Sequence, residues 1–176
     1  MTVQDSLIDD VVGGVIVVDS VHHEVHESEV FEVSLYDGAV ADDGYLYILF
    51  KTRGQNAHTA FSAACGGDAY IRLSETPTVS DNGVLIQERN LNRIVNAGVR
   101  RDTAKAVLYG GPTVSAPGIV LYEGFLPGGT KSGSPGGTAR SNIERVLSGD
   151  YDYLITLQNI AGATKPASLL VQWYEH

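Results

Sequence analysis

His22-His23-Glu24-Val25-His26-Glu27 gathers three imidazoles and two carboxylates in six residues, enough ligands to suggest a metal centre. The zinc-protease arrangement needs His-Glu-x-x-His on a helix, so that both imidazoles share a face with the Glu beside them. His22 and His26 have the required separation, but His23 stands where the Glu belongs. The first His-Glu pair, His23-Glu24, meets His26 one residue too early. In an extended chain His22, Glu24 and His26 project to one side, and His23, Val25 and Glu27 to the other. Two imidazoles and a carboxylate suit zinc or another transition metal, yet no fourth ligand is evident in the sequence. The expectation is no metal and no cofactor, with the imidazoles bridging carboxylates at a subunit contact. Such a network would respond to mild acid, because His charges near neutrality. Ser28 to Tyr36 then alternates polar with apolar residues and is rich in β-branched and aromatic types, which is a strand pattern. The histidine segment thus reads as the approach to an outer strand.

Covalent and phosphate chemistry find less support. No Gly-x-Ser-x-Gly elbow occurs; Gly133-Ser134-Pro135-Gly136 lacks the spacing and lies in a loop. Gly128-Gly129 and Gly136-Gly137 do not belong to a strand–loop–helix phosphate cradle. Asp150-Tyr151-Asp152 would serve a glycosidase only across a sugar-binding cleft, and acids so placed more often edge a turn. The chain is not expected to be an enzyme.

The elements that must position any site are short. Expected strands are 30–36, 45–53, 57–65, 69–74, 84–87, 104–109, 119–126, 151–158 and 168–174, separated by Gly, Pro, Asn and Asp. Such spacing is that of a sandwich, jelly roll or barrel. Tyr45–Phe50 and Ser168–Trp173 are more continuously apolar than the rest, as for strands covered on both faces, in the sandwich or at a subunit contact. One helix is expected over 139–147, where Ile143, Val146 and Leu147 share a helical face; a twisted strand is the alternative. Leu126–Thr138 is the clearest loop. Thr76-Pro77-Thr78-Val79-Ser80-Asp81 weakly echoes Gly111-Pro112-Thr113-Val114-Ser115-Ala116, as equivalent corners of two sheets would, with chance as the competing account.

Composition narrows the function classes. A chain of 176 residues with 43% hydrophobic and 19% charged residues is globular, and can bury about 70% of its unfolded surface in one domain. The net charge of −9 argues against sequence-independent nucleic-acid binding. Its distribution is lopsided, since residues 1–50 hold every charge as acid, Lys51 being the first base. That acidic front third would either guide docking onto a basic partner or simply be a solvated face that maintains solubility. Cys65 is the single cysteine, so no disulfide framework or cysteine zinc site is available. Beside Ala63, Ala64 and Gly66 it reads as a small buried hydrophobe. The amino terminus carries acids where a signal peptide carries bases, and no apolar run reaches spanning length, so neither secretion nor a membrane is expected.

Residues 1–21 form an arm or the domain's first strand, with Val15-Ile16-Val17-Val18 able to pair with another strand or cover a partner's groove. Residues 22–176 form one antiparallel β-sandwich, jelly-roll-like. The expected partner-binding residues are Val15, Ile16, Val17, Val18, His22, His23, Glu24, His26, Glu27, Tyr45, Tyr47, Trp173 and Tyr174. Tyrosine, nine of them here, suits a contact with one apolar and one wet side.

Several segments in order resemble the small virion structural proteins of tailed bacteriophages, of the head decoration or cement type. They are His22–Glu27, Leu73-Ser74-Glu75-Thr76-Pro77-Thr78 with Asp81-Asn82-Gly83, and Asn90-Leu91-Asn92-Arg93. Tyr109-Gly110-Gly111-Pro112-Thr113-Val114, Glu123-Gly124-Phe125 and Gln172-Trp173-Tyr174-Glu175-His176 complete the match. Residues 1–21 lie outside it. The resemblance implies a non-enzymatic protein on the outer capsid surface, met in the host cytoplasm during assembly. Its partners would be the major capsid protein and itself, as a homotrimer. A tail or fibre component binding host surface glycan through Tyr- and Asn-bearing loops is the alternative.

Overall fold

In the computed structural model, residues 29–92, 103–128, 138–140 and 144–175 are described, together with Val25. Their strands in chain order are β1 (Val30–Val40), β2 (Tyr45–Lys51), β3 (Ala57–Cys65), β4 (Ala69–Glu75), β5 (Thr78–Asp81), β6 (Val84–Ile86) and β7 (Arg89–Asn90). They continue with β8 (Val107–Gly110), β9 (Thr113–Ala116), β10 (Ile119–Leu126), β11 (Thr138–Arg140), β12 (Arg145–Leu147), β13 (Asp152–Asn159) and β14 (Lys165–Glu175). Every pairing is antiparallel. One sheet runs β11-β3-β14-β1-β7, with β12 on the same edge of β3 as β11; the second runs β10-β4-β13-β2-β8-β6.

Alternation in β3 and β14 sends Ala57, Phe61, Ala63, Leu169, Val171 and Trp173 inward, where they meet Leu46, Ile48, Phe50, Ile71, Leu73, Ile155 and Leu157 from the second sheet. The Trp173 ring lies 5.7 Å from Phe31 and 5.5 Å, edge-on, from Phe50. Polar staples lock the layers. Buried Asn159 donates from Nδ2 to the carbonyls of Val40, Ala41 and Ala163 at 2.8–3.0 Å. The Glu175 carboxylate accepts from the amides of Lys105 and Ala106 and from the Trp173 indole at 2.9–3.0 Å. Asn159 so satisfies buried and part-buried carbonyls, and Glu175 the part-buried Ala106 amide and Trp173 indole, groups that would cost about 1–3 kcal/mol each if left unpaired.

The chain is the expected all-β antiparallel sandwich. With β11 and β12 counted as one interrupted strand and the segment between β4 and β10 set aside, its eight strands read 1-8-3-6 in one sheet and 2-7-4-5 in the other. That order is a pair of interlocked Greek keys, the jelly-roll arrangement.

The segment between β4 and β10 builds a third layer. β5 leaves β4 at Thr76-Pro77 and delivers the chain to β6, which pairs with β8; β9 leaves β8 at Gly111-Pro112 and delivers it to β10, which pairs with β4. Because β13 and β2 separate β4 from β8, each crossing must pass over both. The crossings pair with one another as a ribbon, Val79 opposite Val114. Beneath such a bridge, Leu49 and Leu154 face away from the core yet are fully buried. In both ribbon strands only the central valine is half-buried, as required of side chains turned down onto those leucines.

Two expectations are corrected. The Pro-Thr-Val-Ser echo does not mark corners of two sheets: its copies are partners in one ribbon over one sheet. The helix over 139–147 is absent, since Thr138–Arg140 and Arg145–Leu147 are strands on β3. A stretch so short gains little as an isolated helix, whereas the open edge of β3 supplies ladder hydrogen bonds at once. Of residues 22–27 only Val25 is described, with helical backbone; the rest of the segment lies outside the described residues. The arm 1–21 lies outside the described residues.

Candidate interaction surface

Beyond the ribbon no other described strand covers the second sheet's outward face, and its register arranges the side chains in rows. One row is Tyr47–Thr156–Arg72–Glu123; two residues further along each strand comes Tyr45–Gln158–Tyr70–Phe125. Strand alternation explains the grouping, because Leu46, Leu157 and Ile71 between these rows point into the core. Tyr45, Glu123 and Phe125 are exposed, Tyr47, Tyr70, Arg72 and Gln158 are half-buried, and Thr156 is buried among them.

The polar groups of this face hold one another in place. Arg72 donates from Nε to the Glu123 carboxylate and from an Nη to Gln158 Oε1 at 3.0 Å. Its guanidinium also lies 5.1 Å from the Tyr70 ring centroid, a cation–π distance. Tyr45 and Tyr47 stack at 5.3 Å, nearly parallel, while Tyr70 and Phe125 meet at 5.8 Å. Burial raises the Tyr47 phenol above its ordinary pKa and neighbouring Tyr45 adds to the effect, with Arg72 opposing. The face is thus four rings, three of them bearing a phenolic hydroxyl, around an Arg–Glu–Gln network.

A second cluster lies on the outward side of the other sheet. Tyr174 Oη donates to Glu144 at 2.7 Å and sits 3.0 Å from His58 Nδ1, while Glu144 also pairs with that imidazole nitrogen. The His58 and Tyr174 rings stack at 4.6 Å. The three groups consolidate the β3–β14 pairing, in which His58 and Tyr174 are register partners.

Of the residues expected to bind partners, Tyr45 and Tyr47 come together on the open face. Tyr174 lies half-buried in the His58 cluster on the opposite side of the sandwich. Trp173 is corrected: at 1% exposure it is a core residue, because alternation along β14 turns it inward with Leu169 and Val171. Val15, Ile16, Val17, Val18, His22, His23, Glu24, His26 and Glu27 lie outside the described residues. Sequence reasoning missed Tyr70, Arg72, Glu123 and Phe125, whose period-2 spacing in β4 and β10 was the available signal. Among the described residues no group of three His, Cys, Asp or Glu side chains is placed to hold a metal. No family model, curated protein or solved structure matches the chain.

Proposed function

We propose that the chain is a structural protein of a tailed-phage virion, a head decoration protein that binds the major capsid protein and, as a homotrimer, stabilises the shell. The observation that carries the reading is the aromatic face of Tyr45, Tyr47, Tyr70 and Phe125, set across the adjacent strands β2, β13, β4 and β10 of the second sheet. Aromatic rings with polar tips are the anchors that protein contacts favour, and the Arg72–Glu123–Gln158 network is already ordered, so little freedom is lost on docking. The resemblance of the chain's motif order to that of decoration proteins is the second ground for the proposal. Many copies with modest interfaces would together resist internal pressure through avidity.

The test mixes purified protein with expanded, undecorated heads. Wild type should co-sediment, and the Tyr45→Ala/Phe125→Ala pair should lose about tenfold or more in affinity, as expected for anchor residues. If wild type stays in the supernatant, the capsid role is wrong.

The same rings beside Arg72 and Gln158 also favour a second reading, a tail or fibre component whose aromatic face stacks on a host glycan. Saturable binding on a glycan array, lost in the same double variant, would support it; a decoration protein should show none.

A further inference from the structure

The second sheet ends in two edges that no described strand covers, β6 at one end and β10 at the other. Both edges are apolar. Val84 and Leu85 are 76% and 56% exposed, Ile119 and Val120 62% and 49%, and Leu121 is exposed as well. Edge strands in natural sheets are commonly guarded by lysines, prolines or inward charges; residues 84–86 and 119–121 contain none of these.

The two strips also follow similar stretches of sequence. Thr76-Pro77-Thr78-Val79-Ser80-Asp81-Asn82-Gly83-Val84-Leu85-Ile86 aligns without a gap to Gly111-Pro112-Thr113-Val114-Ser115-Ala116-Pro117-Gly118-Ile119-Val120-Leu121. Each unit is a ribbon strand, a glycine turn and an edge strand. An approximate two-fold through the Val79–Val114 pair therefore relates β6 to β10.

Register decides what can occupy these edges. One row of the sheet reads Leu85–Tyr109–Leu49–Leu154–Ser74–Val120, and the next Ile86–Leu108–Phe50–Tyr153–Glu75–Ile119. The free strips thus sit on the same rows, at the same height along the strands. With six antiparallel strands between and including them, β6 and β10 run in opposite directions. A neighbour docked β10 to β6 therefore continues the sheet antiparallel and in register, without sliding. Leu85 then faces Val120 of that neighbour, outward beside outward, and Ile86 faces Ile119. The bulge between Val120 and Tyr122 ends the strip at Leu121.

We infer that the occupant of each edge is a second copy of this chain, with β6 of one copy pairing head to tail with β10 of the next. One repeated contact then consumes both apolar edges of every copy, and a closed ring keeps the assembly finite. The inference rests on the homo-oligomer part of the proposed function and supplies its interface; the tyrosine face remains free for the capsid.

The test uses full-length Leu85→Cys and Val120→Cys proteins under mild oxidation; Cys65 is buried and stays out of the reaction. Head-to-tail pairing predicts that an equimolar mixture forms a disulfide dimer while each variant alone stays uncrosslinked. The double variant should give covalent rings of the mass that light scattering reports for wild type. Leu85→Lys and Val120→Lys, both on exposed positions, should leave circular dichroism unchanged and yield monomers. Crosslinking of either single variant with itself would show like-with-like pairing and overturn the inference. A discrete wild-type oligomer with no 85–120 crosslink overturns it too, leaving the homo-oligomer reading intact. Monomeric wild type overturns both, and co-sedimentation with heads reports on the capsid role separately.

Discussion

Tyr153 illustrates how a single buried hydroxyl joins the two sheets' loops. Its Oη donates to Glu75 at 3.1 Å and accepts from the Ser148 amide at 2.9 Å, while the ring is buried in the core. Burial, with the Glu75 carboxylate adding to it against the Ser148 hydrogen bond, pushes the phenol up to about 12 from an ordinary 10.0. In the unfolded chain the same group ionises near its ordinary value, so between these values the unfolded state releases a proton that the folded state keeps. Stability is therefore full below pH 10 and falls as pH rises toward 12. Tyr153→Phe should cost about 1–2 kcal/mol at pH 8, by removing two hydrogen bonds and leaving Ser148 N without its acceptor. It should also flatten the decline above pH 10. Urea titrations of both proteins at pH 8, 10 and 11 check this; an equal decline in the variant would show that Tyr153 is not the titrating group.

At the scale of elements, the ribbon depends on two glycines in equivalent turns. Gly83 and Gly118 have φ of +85° and +84°, a region that side chains disfavour. A Cβ at Gly83 would collide with the Gly110 carbonyl, and one at Gly118 with the Glu75 carbonyl. Gly83→Ala and Gly118→Ala should each destabilise by about 1–3 kcal/mol, and to a similar extent because the turns occupy equivalent places. Thermal melts of the two variants decide it; a neutral result at one site would break the equivalence. These turns also show where the sequence was legible. Strands bounded by Gly or Pro and built on alternation, such as 57–65 and 119–126, match their observed limits. The ribbon strands were passed over because four residues with one half-buried valine carry almost no periodic signal. The misread helix at 139–147 has the same origin: its three apolar residues fit two periods, and only the free edge of β3, a non-local fact, chooses between them. Tyr45 and Tyr47 were readable as surface aromatics, whereas their joining to Arg72 and Phe125 depends on the strand order β10-β4-β13-β2, which no local pattern encodes.

At the scale of the whole molecule, charge is unevenly spread along the chain, and the acidic stretch runs into the first strands of the sandwich. Residues 1–50 hold eleven of the 21 acids and no Lys or Arg, and the remaining ten acids face all 12 bases beyond, a slight positive excess. Two accounts of that asymmetry make opposite statements about kinetics. If the front third only keeps the protein soluble, neutralising part of it leaves association with heads unchanged. If it steers the protein onto a basic capsid surface, encounter is accelerated by the long-range field, and salt screens the acceleration over about 10 Å at 0.1 M. A variant with Asp5→Asn, Asp9→Asn, Asp10→Asn and Asp19→Asn tests the second account without touching the tyrosine face. Its association rate with expanded heads should fall by about tenfold at low salt and converge with wild type near 1 M, while dissociation stays the same. Dissociation is set by the docked contacts, which steering does not alter. A variant that keeps the wild-type rate and salt slope would assign those acids to solubility. Self-association gives an internal control, because the proposed apolar edge pairing between copies that each carry a charge of −9 should strengthen as salt rises, opposite in sign to the proposed capsid docking.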